Sequence, residues 1–238
     1  MSAAETILSP EAVTGAHGSS LQRLVGRHSW ALLINADCRD VTEQLQADAI
    51  ISDPPYGMEW VAGTVTKGKN STGGSYTRHE GATVMHDDSK FDPSPWLEYP
   101  RVVLFGANHY AQRLPVGTTL VWVKRFEEAF GTFLSDGEVA WMKGGHGVYC
   151  KRDTSDRSES RLGERLHPTQ KPVSLMAWCI EKAKVPEGGT VCDPYMGSGS
   201  TGVACVRLHR NFIGVEKDKR HFDNACDRIR RELEGALL

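Results

Sequence analysis

Thr190-Val191-Cys192-Asp193-Pro194-Tyr195-Met196-Gly197-Ser198-Gly199-Ser200-Thr201-Gly202 reads as a short apolar strand, a glycine-rich turn and the opening of a helix that continues through Val206. Glycines in such a turn let the backbone approach a ligand closely, and a helix start offers N–H groups to an anion. Asn211-Phe212-Ile213-Gly214-Val215-Glu216 comes next as a second strand with an acid at its end, where nucleotide-binding α/β folds hold ribose hydroxyls. Strand, glycine turn, helix and acid-tipped strand together predict an α/β fold with a nucleotide-like ligand. Alone, Gly197 to Gly202 also fits a dinucleotide fingerprint, so a nicotinamide oxidoreductase is one candidate class.

A second strand-end motif stands far upstream. Asp53-Pro54-Pro55-Tyr56 follows the apolar run Ala49-Ile50-Ile51. Each proline fixes its own φ and biases the residue before it toward extended backbone, so the turn is stiff. Asp53 and the Pro54 carbonyl can accept both hydrogens of an exocyclic amine, and Tyr56 offers a stacking face. A strand-ending turn with a core tyrosine is the plain alternative. A dehydrogenase would leave these four residues without a task, and a non-catalytic nucleic-acid binder would not need the acid.

Taken together, the motifs resemble those of the DNA amino-methyltransferases that use S-adenosylmethionine, in the permuted β-class order with the catalytic motif first and the cofactor loop late. His167-Pro168-Thr169-Gln170-Lys171-Pro172 resembles the family segment before the cofactor loop. Asn35-Ala36-Asp37-Cys38 resembles the Gly-Asp-Cys upstream of the catalytic motif, with Ala36 where glycine is usual. Tyr195 stands where phenylalanine is commoner. The likeness runs from about Leu32 to Asp218. It implies a Rossmann-like methyltransferase fold: a mixed, mostly parallel seven-stranded sheet with helices on both faces and circularly permuted motif order. It implies catalysis by Asp53, Pro54, Pro55 and Tyr56, with the target base flipped out of the duplex and stacked on the tyrosine. For the cofactor it implies Asp37, Cys38, Asp53, His167, Thr169, Gln170, Lys171, Asp193, Pro194, Tyr195, Gly197, Ser198, Gly199, Ser200, Thr201, Glu216 and Lys217. Glu216 is expected on the ribose, and Ser198 to Thr201 and residues 169–171 at the methionine end. The acceptor expected is N6 of adenine, with N4 of cytosine requiring the same geometry. A related glutamine-amide motif begins with Asn, against which Asp53 counts.

Composition agrees. A chain of 238 residues that is 39% hydrophobic and 24% charged can bury one sizeable core. It carries no apolar run of membrane-spanning length, and residues 1–20, small and polar, read as a flexible arm rather than a signal peptide. Six scattered cysteines without a Cys-x-x-Cys pair predict reduced thiols in a cytoplasmic protein and no metal site. The net charge of −2 is low for a dedicated nucleic-acid binder, so double-stranded DNA contact is expected from local basic segments.

Those segments are a long polar loop at 57–92 with Lys67, Lys69 and Arg78, and a basic loop at 143–166 with Lys151, Arg152, Arg157, Arg161 and Arg165. Both are short for recognition domains, which makes a homodimer a candidate assembly. The remainder, residues 21–238, reads as one methyltransferase domain. Further strands are expected at Trp30–Ile34, Arg101–Phe105, Thr118–Val123, Glu138–Trp141 and Gly147–Cys150. Helices are expected at Val41–Gln46, after Phe105 through Leu114, from Pro172 to about Lys184, and over Asp218–Glu234.

Overall fold

A computed structural model describes residues 20–57, 90–131, 135–154 and 170–235. The chain divides into two units, Met1–Pro54 with Pro93–Leu238, and Pro55–Asp92. The second nearly coincides with the expected loop at 57–92; of it, residues 55–57 and 90–92 are described, with Phe91 buried.

The first unit is built on β1 (Ser20–Val25), β2 (Trp30–Asn35), β3 (Ala49–Ser52), β4 (Val102–Phe105), β5 (Gly117–Val123), β6 (Gly137–Arg152), β7 (Thr190–Asp193) and β8 (Asn211–Glu216). They form one eight-stranded sheet in the order β1-β2-β8-β7-β3-β4-β6-β5. The run from β2 to β4 is parallel, while β1 and the β4–β6 pair are antiparallel. The sheet is therefore mixed and mostly parallel as expected, with eight strands instead of seven. The extra one is β1, an edge strand paired antiparallel to β2 along its whole length. It takes in Ser20, the last residue assigned to the arm.

Residues 143–152, the start of the expected basic loop, belong to β6, which takes in the expected strands Glu138–Trp141 and Gly147–Cys150 as one. β6 meets β5 along two stretches: Lys143 back to Gly137 opposes Gly117–Val123, then Val148–Arg152 runs alongside Thr119–Val123. Gly144 and Gly145, at φ +81° and +68°, supply the left-handed turn that carries the chain past the start of β5. The β-branched and aromatic residues Val148 and Tyr149 then suit a second stretch beside it.

The central strands β3, β4 and β7 are buried throughout, since both faces of the sheet are covered. On one face α3 (Val173–Lys182), α4 (Ser200–Arg207) and α5 (Lys219–Gly235) pack in sequence order. The α5 stripe Phe222, Ala225, Cys226, Ile229 and Leu233 has the 3.6-residue period of an amphipathic helix. The segments expected to be helical near Val41–Gln46 and after Phe105 are shorter, being α1 (Cys38–Val41) and isolated 3-10 turns at Thr42–Gln44, Ala107–His109 and Ala111–Arg113. A further short helix, α2 (Ser94–Leu97), carries the buried Trp96.

Strand order reverses at the sheet centre. From β3 the chain steps to β4 on one side, and from β7, the other neighbour of β3, to β8 on the opposite side. The crevice beyond the carboxyl ends of β3 and β7 is thus the switch point, where open α/β sheets bind ligands.

Candidate functional site

Ala49 and Ile50 pair with Val191 and Cys192, so the two motif strands end side by side. The ends are joined by a side-chain bond. Ser52 Oγ, fully buried, donates to Asp193 Oδ1 at 2.5 Å. Thr201 Oγ1 donates to Asp193 Oδ2 at 2.6 Å, and the Tyr195 N–H to Oδ1 at 3.1 Å. Burial pushes the Asp193 carboxyl up to about 6, against these three donors. Asp193 and Thr201, both expected at the cofactor, bond each other at the base of the glycine turn. Asp193 ties the end of β3, the glycine turn and the first turn of α4 into one piece.

Glu216, at the end of β8, takes the loop from the other side. Its Oε2 accepts the Gly197 N–H at 2.9 Å and its Oε1 the Asp218 N–H at 2.8 Å. Burial raises its carboxyl to about 7. Gly197 and Gly199 have φ of +51° and +80°, the backbone the turn requires, and the Gly199 N–H bonds the Met196 carbonyl at 2.8 Å. Across β2, Asn35 Nδ2 donates to the Glu216 and Lys217 carbonyls at 2.8 and 3.1 Å. Asp37 caps α1 and meets Arg39 at 2.6 Å and Lys217 at 3.0 Å. The Arg39 guanidinium holds the Asp37 carboxyl well below the usual range. Cys38 is buried, its thiol raised to about 11 by desolvation, and hydrogen-bonds Tyr195. The expected residues Asp37, Cys38, Tyr195, Gly197, Glu216 and Lys217 therefore gather around the ends of β2, β8 and β7.

Two adjacent residues complete the site. Gln170 Oε1 accepts Ser198 Oγ at 3.1 Å, and Arg228 of α5 donates to the Ser198 carbonyl at 2.6 Å and to its hydroxyl at 3.1 Å. Lys171, expected at the methionine end of the cofactor, lies on the Asp53 carboxylate: its ammonium pairs with Asp53 Oδ2 and with Glu138 Oε2 at 3.1 Å. The Glu138 contact is an ion pair without hydrogen-bond alignment, leaving that oxygen with no hydrogen-bond donor among the described residues. Burial alone would lower the Lys171 ammonium, but the two carboxylates together hold it above its ordinary value. Lys124 closes the row by pairing with Glu138.

Ser52, Glu138, Lys124 and Arg228 carried no functional assignment from sequence. Ser52 had one available signal, being the polar residue that ends an otherwise apolar strand. Pro55 and Tyr56 belong to the second unit, both half-buried. Lys151 and Arg152 lie on the second stretch of β6, where Arg152 pairs with Glu127 at 3.1 Å. His167, Thr169, Lys67, Lys69, Arg78, Arg157, Arg161 and Arg165 lie outside the described residues, as does the arm up to residue 19. Among the described residues no helix is long and apolar enough to cross a membrane.

Residues 140–227 match the N6/N4 DNA methylase family. Type II methyltransferase M.HinfI of Haemophilus influenzae is 37% identical over 75 residues, covering 32% of this chain and 21% of that protein. Type II methyltransferase M2.DpnII of Streptococcus pneumoniae is 44% identical over 68 residues, covering 29% and 25%. The matches thus span about a quarter or less of these curated relatives. The crystal structure of M1.HpyAVI in complex with SAM has a TM-score of 0.52 at 23% identity, over 83% of this chain and 99% of that one. The resemblance to N6/N4 DNA methylases holds in sequence over 140–227, and the fold is shared over most of the chain.

Proposed function

We propose that this chain transfers a methyl group from S-adenosylmethionine to the exocyclic amino group of a base in DNA, N6 of adenine by preference and N4 of cytosine as the alternative. The observation that carries it is the meeting of two strand-end motifs at the switch point, joined by the Ser52–Asp193 bond. The match to DNA methylases over 140–227 supports the substrate class.

The residues present suit the cofactor. Glu216 engages each carboxylate oxygen with one backbone N–H, and each retains acceptor capacity for a ribose hydroxyl. Asp193 and Glu216 put two carboxylates against the glycine turn, whereas Asp37 and Asp53 are each paired with a cation. That arrangement disfavours the pyrophosphate of a nicotinamide dinucleotide, and the Gly197 and Gly199 N–H groups are already bonded to protein acceptors. When bound, S-adenosylmethionine supplies an electrophilic methyl on a sulfonium sulfur.

The chain's own part is alignment. Asp53 and the Pro54 carbonyl accept the two amine hydrogens, which localises the nitrogen lone pair. Asp53 opposes the positive charge that develops on the nitrogen and takes the proton it gives up. Holding the reacting groups in line is the main lever, and no separate histidine base is needed.

The test is labelled methyl transfer into unmethylated duplex DNA, with nucleoside mass analysis. Methyladenine is expected from the wild type and none from Asp53→Ala, whose cofactor affinity stays within about threefold because the lost contact serves the transition state. Methylcytosine would change the base and keep the chemistry. Tight cofactor binding with no methylated nucleoside would overturn the DNA reading.

A further inference from the structure

We propose that Lys171, backed by Glu138, is a positioning residue for the Asp53 carboxylate and not a ligand of the cofactor. The inference rests on methyl transfer at Asp53 and assigns control of that site to a pair outside the catalytic motif.

Lys171 is 7% exposed, and an ammonium so buried is tolerated only when paired. The fold brings it two carboxylates from different strands, Asp53 after β3 and Glu138 on β6, with the Phe105 ring of β4 at 5.3 Å beneath. Lys124 lies on the far side of Glu138. The row Lys124, Glu138, Lys171, Asp53 alternates in sign and sums to zero.

Lys171 has little freedom to leave. Pro172 after it, at φ −58°, enters α3, and Gln170 before it is buried and bonded to Ser198 of the glycine turn. An ammonium fixed at both flanks fixes in turn the carboxylate plane it holds, and that plane determines where the amine sits. Glu138 has the complementary role. By sharing the ammonium it keeps Lys171 from neutralising Asp53, which must remain a strong acceptor for the amine.

The test separates kcat from cofactor affinity in four variants. Lys171→Met is expected to lower kcat about 100-fold while the Kd for S-adenosylmethionine moves by less than about threefold, because misplacement of a reacting group by about 1 Å has an effect of that order. Lys171→Arg, which keeps the charge, is expected to return to within about tenfold of wild type, and Glu138→Gln to fall by about tenfold. Should Lys171→Met fail to fold, the charge-balanced Lys171→Met/Glu138→Gln chain carries the same expectation. High-resolution structures of wild type and variant supply a readout independent of activity, with the Asp53 carboxylate in one rotamer in the first and rotated or split in the second. A cofactor Kd raised tenfold or more with kcat unchanged at saturation would make Lys171 a cofactor ligand and overturn the proposal. So would an unmoved Asp53 carboxylate, or failure of arginine to rescue. Absence of transfer by the wild type would instead remove the underlying reading.

Discussion

Replacing Ser52 by alanine removes one atom, yet it should weaken the fold in a pH-dependent way. Ser52 Oγ is one of three donors to Asp193, at 2.5 Å, beside Thr201 at 2.6 Å and the Tyr195 N–H at 3.1 Å. Burial lifts the Asp193 carboxyl from 3.8 to about 6. Between those values the folded chain binds more protons than the unfolded one, so stability falls as pH rises toward 6 and the full penalty stands above it. A shift of about two units corresponds to about 3 kcal/mol. The Ser52 hydroxyl opposes that shift, so its removal deepens the penalty only where Asp193 is ionised. A bond to a charged group contributes about 1.5–3 kcal/mol and a neutral one about 1. Ser52→Ala should therefore lose about 2 kcal/mol at pH 8, or about 4–8 °C in Tm for a chain of this size, and half of that or less at pH 5. The assay is thermal unfolding of both proteins at the two pH values, read as the difference between them so that other titrations cancel. An equal loss at pH 5 and pH 8 would refute the reasoning.

Glu216→Gln should weaken S-adenosylmethionine binding at least about tenfold, because the carboxylate proposed to accept ribose hydroxyls becomes a neutral amide. Since burial raises the Glu216 carboxyl to about 7, wild-type affinity should climb as pH rises through 7, while the glutamine variant stays flat in calorimetric titration. Gly202→Ala should destabilise by about 1–3 kcal/mol through overpacking. Its added methyl would come within 2.4 Å of Ile229 Cδ1 and 2.8 Å of Phe212 Cδ1, and a second change, Ile229→Val, should recover part of the lost Tm.

What was legible in the chain was local. The apolar runs at Ala49–Ser52, Thr190–Cys192 and Asn211–Glu216 are strands, and the residues after them reach the ligand end of the sheet. Hydrophobic periodicity reports which face a residue presents, however, and is silent on which strand lies alongside. Lys171 shows the consequence. In sequence its neighbours are Gln170 and Pro172, so it reads as part of a loop serving the cofactor. Its partners, Asp53 and Glu138, become neighbours only once β3, β4 and β6 are assembled, with Asp53 118 residues away. Residues 143–146 and 151–152 read as loop for a different reason, because their charges and glycines resemble a solvated segment. Yet Gly144 and Gly145 are the turn that lets a second stretch pair along β5.

The permuted order of the motifs explains why the site needs these long-range bonds. Ser52 and Asp193 are 141 residues apart, so no short stretch of backbone can keep the ends of β3 and β7 in register. Side chains across the centre of the sheet must do so. Ser52–Asp193 joins the strand ends directly. Gln170 and Lys171 join them a second time, one gripping the glycine turn through Ser198 and the other gripping Asp53. Because the two are consecutive and Pro172 stiffens the entry to α3, a displacement of the turn is transmitted to the carboxylate within a single peptide unit. In the proposed methyl transfer, alignment over a fraction of an ångström thus depends on Ser52, Gln170 and Lys171, which lie outside both strand-end motifs.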